Sequence, residues 1–270
     1  VREGQGEGNM NILDKIIADK RKEVALKKSL LPASQWEQSV LFERETYSLA
    51  KALKQSDSGI IAEHKRRSPS KGTINQHTNV AQVARGYQKA GVCGMSVLTD
   101  LKYFGGSLED LLLARASVEL PLLRKEFIID EYQILEAKAH GADVILLIAA
   151  VLTREEIKML SELAKSLYLE VLLEVHNEEE LQKSIMPSLD MLGVNNRNLK
   201  TFEVSLQTSK SLSEMIPDAF VKVSESGISN VGAIKELREF GYQGFLIGEN
   251  FMKMKNPGRS VEGFIKNLKG

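Results

Sequence analysis

From Ile60 to the end of the chain, short apolar runs alternate with amphipathic stretches, and this alternation limits the fold more than any other feature. The runs are Gly59–His64, Gly94–Thr99, Pro121–Lys125, Asp143–Ile148, Glu170–Glu174, Met191–Asn195, Phe220–Ser224 and Gly244–Ile247. Between them apolar residues recur at helical spacing near Val80–Ala90, Ser107–Ser117, Glu131–His140, Thr153–Leu167, Asn177–Met186, Ser205–Met215 and Asn230–Phe240, with a last helix near Arg259–Leu268. Continuous apolar runs joined by crossover helices are parallel strands buried on both faces. Eight such units in about 210 residues suit a closed (β/α)8 TIM barrel better than an open sheet. Gly59, Gly141 and Gly241 each stand just before a strand, where a glycine ends the preceding helix.

Before the barrel, residues 10–58 form a helical extension. An amphipathic helix is expected over Met10–Lys28, a second piece with the single Trp36 near Ser34–Phe42, and a third at Ser48–Leu53. These pieces are expected to cover one end of the barrel. Val1–Asn9, rich in Gly and Glu and placed before Met10, reads as an expression remnant. With no linker dividing residues 59–270, extension and barrel are read as one domain.

With 36 basic and 36 acidic residues the formal net charge is zero, which argues against nucleic acid or an anionic membrane as partner. One cysteine, Cys93, excludes an internal disulfide and suits a reducing compartment, and no run is long enough to span a bilayer. The chain is read as a cytoplasmic monomer.

In a barrel of this kind the chemistry sits at the C-terminal ends of the strands. Those ends carry Glu63 and Lys65, Asp100, Lys125, Glu174, Asn195 and Arg197, Glu225 and Ser226, and Gly248-Glu249-Asn250. Glu63 and Lys65 are two apart, so they project from one face of a strand. Taken alone, that pair and the basic loop after it read better as a surface ion pair and a solvated loop. A ring of two lysines, several carboxylates, an amide and an arginine fits a polyanionic substrate that needs proton transfers. Ser226-Gly227 follows the seventh run and Gly248-Glu249 the eighth, the positions from which such barrels hold phosphate. The basic loop Arg66–Ile74 is suited to holding an anion and to closing over it. Phe104, Phe127 and Phe202 lie just past strand ends, where they can wall a pocket for a planar group. The four histidines have no metal-committing spacing, and neither a Walker loop nor a dinucleotide fingerprint is present. No metal and no cofactor are expected.

Ile61-Ala62-Glu63-His64-Lys65-Arg66-Arg67-Ser68-Pro69-Ser70-Lys71-Gly72, Ser96-Val97-Leu98-Thr99-Asp100, Lys102-Tyr103-Phe104-Gly105-Gly106-Ser107 and Leu122-Leu123-Arg124-Lys125-Glu126-Phe127 resemble indole-3-glycerol phosphate synthase. So do Leu173-Glu174-Val175-His176, Gly193-Val194-Asn195-Asn196-Arg197-Asn198-Leu199, Ser224-Glu225-Ser226-Gly227-Ile228 and Leu246-Ile247-Gly248-Glu249-Asn250-Phe251, in unbroken order. The resemblance implies ring closure of 1-(2-carboxyphenylamino)-1-deoxyribulose 5-phosphate to indole-3-glycerol phosphate, with loss of CO2 and water, in tryptophan biosynthesis. It implies Lys125 as the general acid and Lys65 as anion holder and second acid. Glu174 becomes base or charge stabiliser, Glu63 orients Lys65, Asn195 positions a hydroxyl, and Glu225 supports a lysine. Phosphate would sit among Lys65, Ser68, Arg197, Ser226, Gly227, Gly248 and Glu249. Pro69, Phe104, Phe127, Leu146, Leu199 and Ile247 would form the wall around the aromatic ring.

Two positions depart from the resemblance. His64 replaces an aliphatic residue and Glu126 replaces the Asp that usually follows the acidic lysine; both are expected to face away from the lysines. Rival readings are another phosphosugar barrel enzyme, phosphoribosylanthranilate isomerase or a Schiff-base aldolase using Lys125, and a silent phosphate-binding barrel serving as a partner subunit.

Overall fold

A computed structural model of the chain describes residues 11–199 and 201–270. The segment 1–9, read above as an expression remnant, lies outside the described residues. Eight parallel strands close into a barrel: β1 (Ile60–His64), β2 (Gly94–Leu98), β3 (Leu122–Lys125), β4 (Val144–Ile148), β5 (Glu170–Val175), β6 (Met191–Asn195), β7 (Val221–Glu225) and β8 (Gly244–Ile247). Each strand pairs with its sequence neighbours, and β8 closes on β1 through Ile61↔Leu246. Strand boundaries fall within a residue of those read from the apolar runs.

Alternation along the strands divides the core in two. Ile61, Leu123, Val144, Leu146, Leu172, Met191, Val221, Val223 and Leu246 fill the barrel interior, while the residues between them pack outward against the helices. Along the same inward-facing rows the apolar residues give way to Glu63, Lys125, Glu174, Asn195 and Glu225 at the C-terminal ends. Period-two geometry therefore aims these polar groups into one mouth.

The N-terminal extension covers both ends of the barrel, not the single end expected. Helix α1 (Ile12–Leu30) begins over the C-terminal mouth, where Ile12, Leu13 and Ile16 line the cavity described below. Helix α2 (Leu49–Lys54) plugs the opposite end. Leu49 and Leu53 join the inner core there. Glu170, at the start of β5, accepts the N–H groups of Leu49 and Ala50 at 2.8 and 3.0 Å and a bond from the Ser48 hydroxyl. That carboxylate satisfies donors at the first turn of α2, which have no partner within the helix.

Three small elements have no counterpart in the sequence reading. Arg67–Ser68 and Gly72–Thr73 form a two-stranded hairpin inside the loop after β1, and single-turn helices run over Leu101–Phe104 and Glu249–Met252. Among the described residues no helix is long and apolar enough to cross a membrane.

Candidate active site

The C-terminal mouth opens into a cavity of about 640 Å³. Every residue picked out for acid–base, phosphate or ring contacts lines it: Glu63, Lys65, Lys125, Glu174, Asn195 and Glu225; Ser68, Arg197, Ser226, Gly227, Gly248 and Glu249; Pro69, Phe104, Phe127, Leu146, Leu199 and Ile247. Ile247 packs with the outer core, and its neighbour Leu246 supplies the inner-face aliphatic group. Phe202, the third aromatic singled out, lines the cavity as well, whereas Asp100 turns away from it.

Lys125 is the centre of the charge arrangement. Its Nζ donates to Glu174 Oε2 at 3.0 Å and to Glu225 Oε2. Burial alone would push this ammonium down, but Glu174, Glu225 and Glu63 outweigh it, so its pKa lies above the usual lysine value. The two carboxylates part company. Burial tends to raise Glu174, yet Lys125, His176 and Asn195 overcome that and hold it well below the ordinary range. Burial raises Glu225 to about 7, with the nearby Glu174 charge adding to the rise and Lys125 opposing it.

Glu174 is fixed on both oxygens. Oε1 accepts from Asn195 Nδ2 at 3.1 Å and lies 3.3 Å from His176 Nε2, while Asn195 Oδ1 accepts the Arg197 N–H at 3.0 Å. His176 stands between two acids, its Nδ1 being 3.1 Å from Glu180 Oε2. Burial works against its charge, but the acids prevail and raise it to about 10. His176 is thus a cation at neutral pH, and among the described residues no cluster of His, Cys, Asp and Glu has the makings of a metal site. Across the mouth, Lys65 Nζ sits 2.6 Å from Glu63 Oε1, the pairing that the i, i+2 spacing implies.

Two glycines make room for this machinery. A Cβ on Gly193 would meet Glu225 Oε1 at 2.4 Å, and one on Gly248 would meet Glu63 Oε1 at 2.4 Å. In the loop after β7, Ser226 and Gly227 take consecutive left-handed φ values of 66° and 79°. Such a conformation is uncommon for serine, and here it turns the chain at the rim of the cavity.

The loop after β1 spends two of its cations on anchoring. Arg66 pairs with Asp110 and donates to the Gly105 carbonyl at 3.1 Å, and Arg67 donates to the carbonyls of Leu101 and Lys102 at 2.6 Å each. Lys65, Ser68 and Lys71 remain to face the cavity. On its apolar side, the rings of Phe104 and Phe127 lie 6.0 Å apart at 38°.

Sequence reasoning missed Ile12, Leu13, Ile16, Glu126, Val204 and Lys253 as lining residues. The first three carried the signal of a buried helix stripe, but nothing in the sequence says which end of the barrel that stripe covers. Neither departure pairs with Lys65 or Lys125. His64 is buried, 3.5 Å from Thr78 Oγ1, and burial with Arg66 nearby lowers it to about 4, so it is neutral at pH 7. Glu126 borders the cavity, and its carboxylate is held by Thr99 Oγ1, from which it accepts at 2.8 Å.

Residues 13–264 match the family model described as indole-3-glycerol phosphate synthase. An indole-3-glycerol phosphate synthase from Bacteroides thetaiotaomicron is 48% identical over 258 residues, 96% of this chain and 99% of that protein. The chain belongs to the indole-3-glycerol phosphate synthase family. Family membership makes it a carboxy-lyase of tryptophan biosynthesis. Indole-3-glycerol phosphate synthases from Burkholderia ambifaria and Campylobacter fetus are 43% and 41% identical, over 93% and 96% of this chain and 97% and 99% of their own lengths. Among solved structures, 3-hexulose-6-phosphate synthase from Salmonella typhimurium superposes with a TM-score of 0.61 at 12% identity, covering 78% of this chain and 99% of that one. Tryptophan synthase subunit alpha from Legionella pneumophila gives 0.59 at 15% identity, covering 82% of this chain and 96% of the other. These two share the barrel fold with this chain.

Proposed function

We propose that Lys125 is the proton donor in an indole ring closure carried out within this cavity. The observation that carries the reading is an ammonium at the end of β3 fastened between Glu174 at 3.0 Å and Glu225, opposite the Lys65–Glu63 pair. As the ring carbon bearing the carboxylate attacks the ribulose carbonyl, Lys125 hands its proton to the carbonyl oxygen. The iminium formed on ring closure then accepts the electron pair released with CO2, which is why the step needs no separate electron sink. Loss of water follows. Lys65, oriented by Glu63, is the second acid and protonates the departing hydroxyl; Glu174 takes the proton from the carbon next to the nitrogen as the ring double bond forms, and Asn195 positions a substrate hydroxyl. Glu225 holds Lys125 in place.

The phosphate is assigned to Lys65, Ser68, Arg197, Ser226 and Gly227, with the backbone of Gly248 and Glu249 at the start of a helical turn. The aromatic ring is assigned to the wall made by Pro69, Phe104, Phe127, Leu146, Leu199 and Ile247. A Schiff-base aldolase would need Lys125 as a free amine, and the surrounding carboxylates favour the ammonium instead. The chain is proposed to act as a monomer in the cytoplasm. Incubating the purified protein with 1-(2-carboxyphenylamino)-1-deoxyribulose 5-phosphate should yield indole fluorescence and one CO2 per product. A folded protein that binds this substrate yet forms neither product would refute the reading.

A further inference from the structure

Lys20 lies on the buried stripe of α1, between Ile16 and Val24, and only 2% of it is exposed. Bringing an ammonium out of water costs several kcal/mol, so an aliphatic side chain would dock the helix at less expense. What the charge adds is direction. Lys20 Nζ is 2.8 Å from Glu23 Oε2 on its own helix, and 3.1 Å from both Asp100 Oδ1 and Glu126 Oε1. Asp100 follows β2 and Glu126 follows β3, so one cation joins the ends of two neighbouring strands to the helix above them.

Both carboxylates are also committed to the cavity wall. The other oxygen of Asp100 accepts the N–H groups of Tyr103 and Phe104 at 2.7 and 3.2 Å, fixing the helical turn that carries the Phe104 ring. Glu126 Oε1 accepts the N–H of Phe127 at 2.9 Å, and Oε2 accepts from Thr99 at 2.8 Å. Phe104 and Phe127 are the two facing rings of the apolar wall. Lys125 lies between Arg124, held to Glu136 Oε2 at 2.6 Å, and Glu126, held to Lys20, so its backbone is fastened on both sides from outside the barrel. Asp19 strengthens the same junction by accepting from Lys102 at 2.6 Å and from the Tyr103 hydroxyl.

We infer that Lys20 is a positioning residue for the ring closure: through Glu126 and Asp100 it sets the backbone of Lys125 and the spacing of the Phe104 and Phe127 rings. This rests on the reading of Lys125 as proton donor. Removing the ammonium takes away the cation that Asp100 and Glu126 share and leaves Glu126 with the more distant Arg124, whose Nη2 is 3.8 Å from Glu126 Oε2. Glu126 is then drawn towards Arg124 on the side of its Oε2, and that swing disturbs the bond of Oε1 to the Phe127 N–H, two residues from the proton donor. The longer Glu126, where the resemblance leads one to expect Asp, thereby has a physical role, because its carboxylate spans Lys20, Thr99 and the Phe127 N–H together.

The experiment compares Lys20→Met, Glu126→Gln and the double variant, with kcat and KM read from product fluorescence and folding from the unfolding midpoint. A displacement of about 1 Å at the reacting groups costs up to ~100-fold in rate, so each single variant is expected to lose about 10- to 100-fold in kcat and to raise KM. The double variant should be no slower than the slower single one, as expected for residues acting through one contact. A helix tether without influence on the site would leave kcat of the folded enzyme unchanged at saturating substrate. A folded Lys20→Met with kcat within about twofold of the parent overturns the inference, as do kcat losses that multiply in the double variant. Should Lys20→Met fail to fold, Glu126→Gln alone decides in the same way: a fall in kcat supports the inference and an unchanged kcat overturns it. Lys125→Ala, measured alongside, separates the two failures. Activity retained there overturns the reading of the site and the role of Lys20 with it, whereas activity lost there but kept in Lys20→Met overturns the positioning role alone.

Discussion

Replacing Gly193 by alanine puts a methyl group where the Glu225 carboxylate lies. The new Cβ would sit 2.4 Å from Glu225 Oε1 and 3.2 Å from Leu172 Cδ1. Ordinary non-bonded contact is near 3.5 Å, so Oε1 has to retreat by about 1 Å. That retreat costs the fold little. The clash involves the tip of a side chain, and Oε1 has no hydrogen bond to surrender. Stability should fall by no more than about 1 kcal/mol, the low end for an added methyl in a packed core, or roughly 2–4 °C in Tm. The chemistry is far more exposed to the change, because Glu225 is one of two carboxylates gripping Lys125. Misplacing that grip by about 1 Å should lower kcat by about 100-fold. Steady-state product fluorescence and thermal unfolding on the same preparation measure both quantities. A folded Gly193→Ala with kcat within about twofold of the parent would refute the reasoning, as would a large loss of Tm with kcat of the folded enzyme unchanged.

Other perturbations follow from the same structure. His176→Gln removes a histidine whose pKa rises from 6.5 to about 10 on folding, a protonation-linked contribution bounded at about 5 kcal/mol. A raised folded pKa gives stability that is complete below about pH 6.5 and lost as pH climbs towards 10, so the stability gap between parent and variant, from urea titrations, should close over that window. Shortening the loop 66–74 should raise KM and lower kcat together, since it carries Lys65's neighbours Ser68 and Lys71 into the cavity wall; an unchanged kcat would count against closure over substrate. Leu53→Ala at the plugged end should cost about 2–4 kcal/mol in denaturant unfolding with kcat of the folded enzyme preserved, because Leu53 joins the inner core with α2, away from the mouth.

Much of this was legible in the sequence because a parallel barrel writes its geometry in period two. The apolar runs located the strands, and reading only their C-terminal ends brought together side chains from Glu63 to Glu249 that now line one cavity. The Glu63–Lys65 pair followed from alternation alone. The hairpin at Arg67–Thr73 and the turn at Leu101–Phe104 are too short to show any period. The placement of α1 and α2 at opposite ends rests on long-range contacts, Lys20 with Asp100 and Glu170 with Ser48, that no local pattern encodes. Lys20 did leave a trace, a lysine spaced four residues from Ile16 and Val24 on a helix's apolar stripe. The direction of the Lys125 shift was likewise open, since it depends on Glu174 and Glu225 both reaching the ammonium.

The most direct test of Lys125 as the acid is a single-turnover measurement of indole-3-glycerol phosphate fluorescence, with enzyme in excess, for the parent and for Lys125→Ala. The parent should convert its substrate, and the folded variant should be slower by at least ~100-fold, the lower range for losing a positioned general acid. A folded Lys125→Ala that forms product at the parent's rate would contradict the assignment and move the proton donor elsewhere in the cavity.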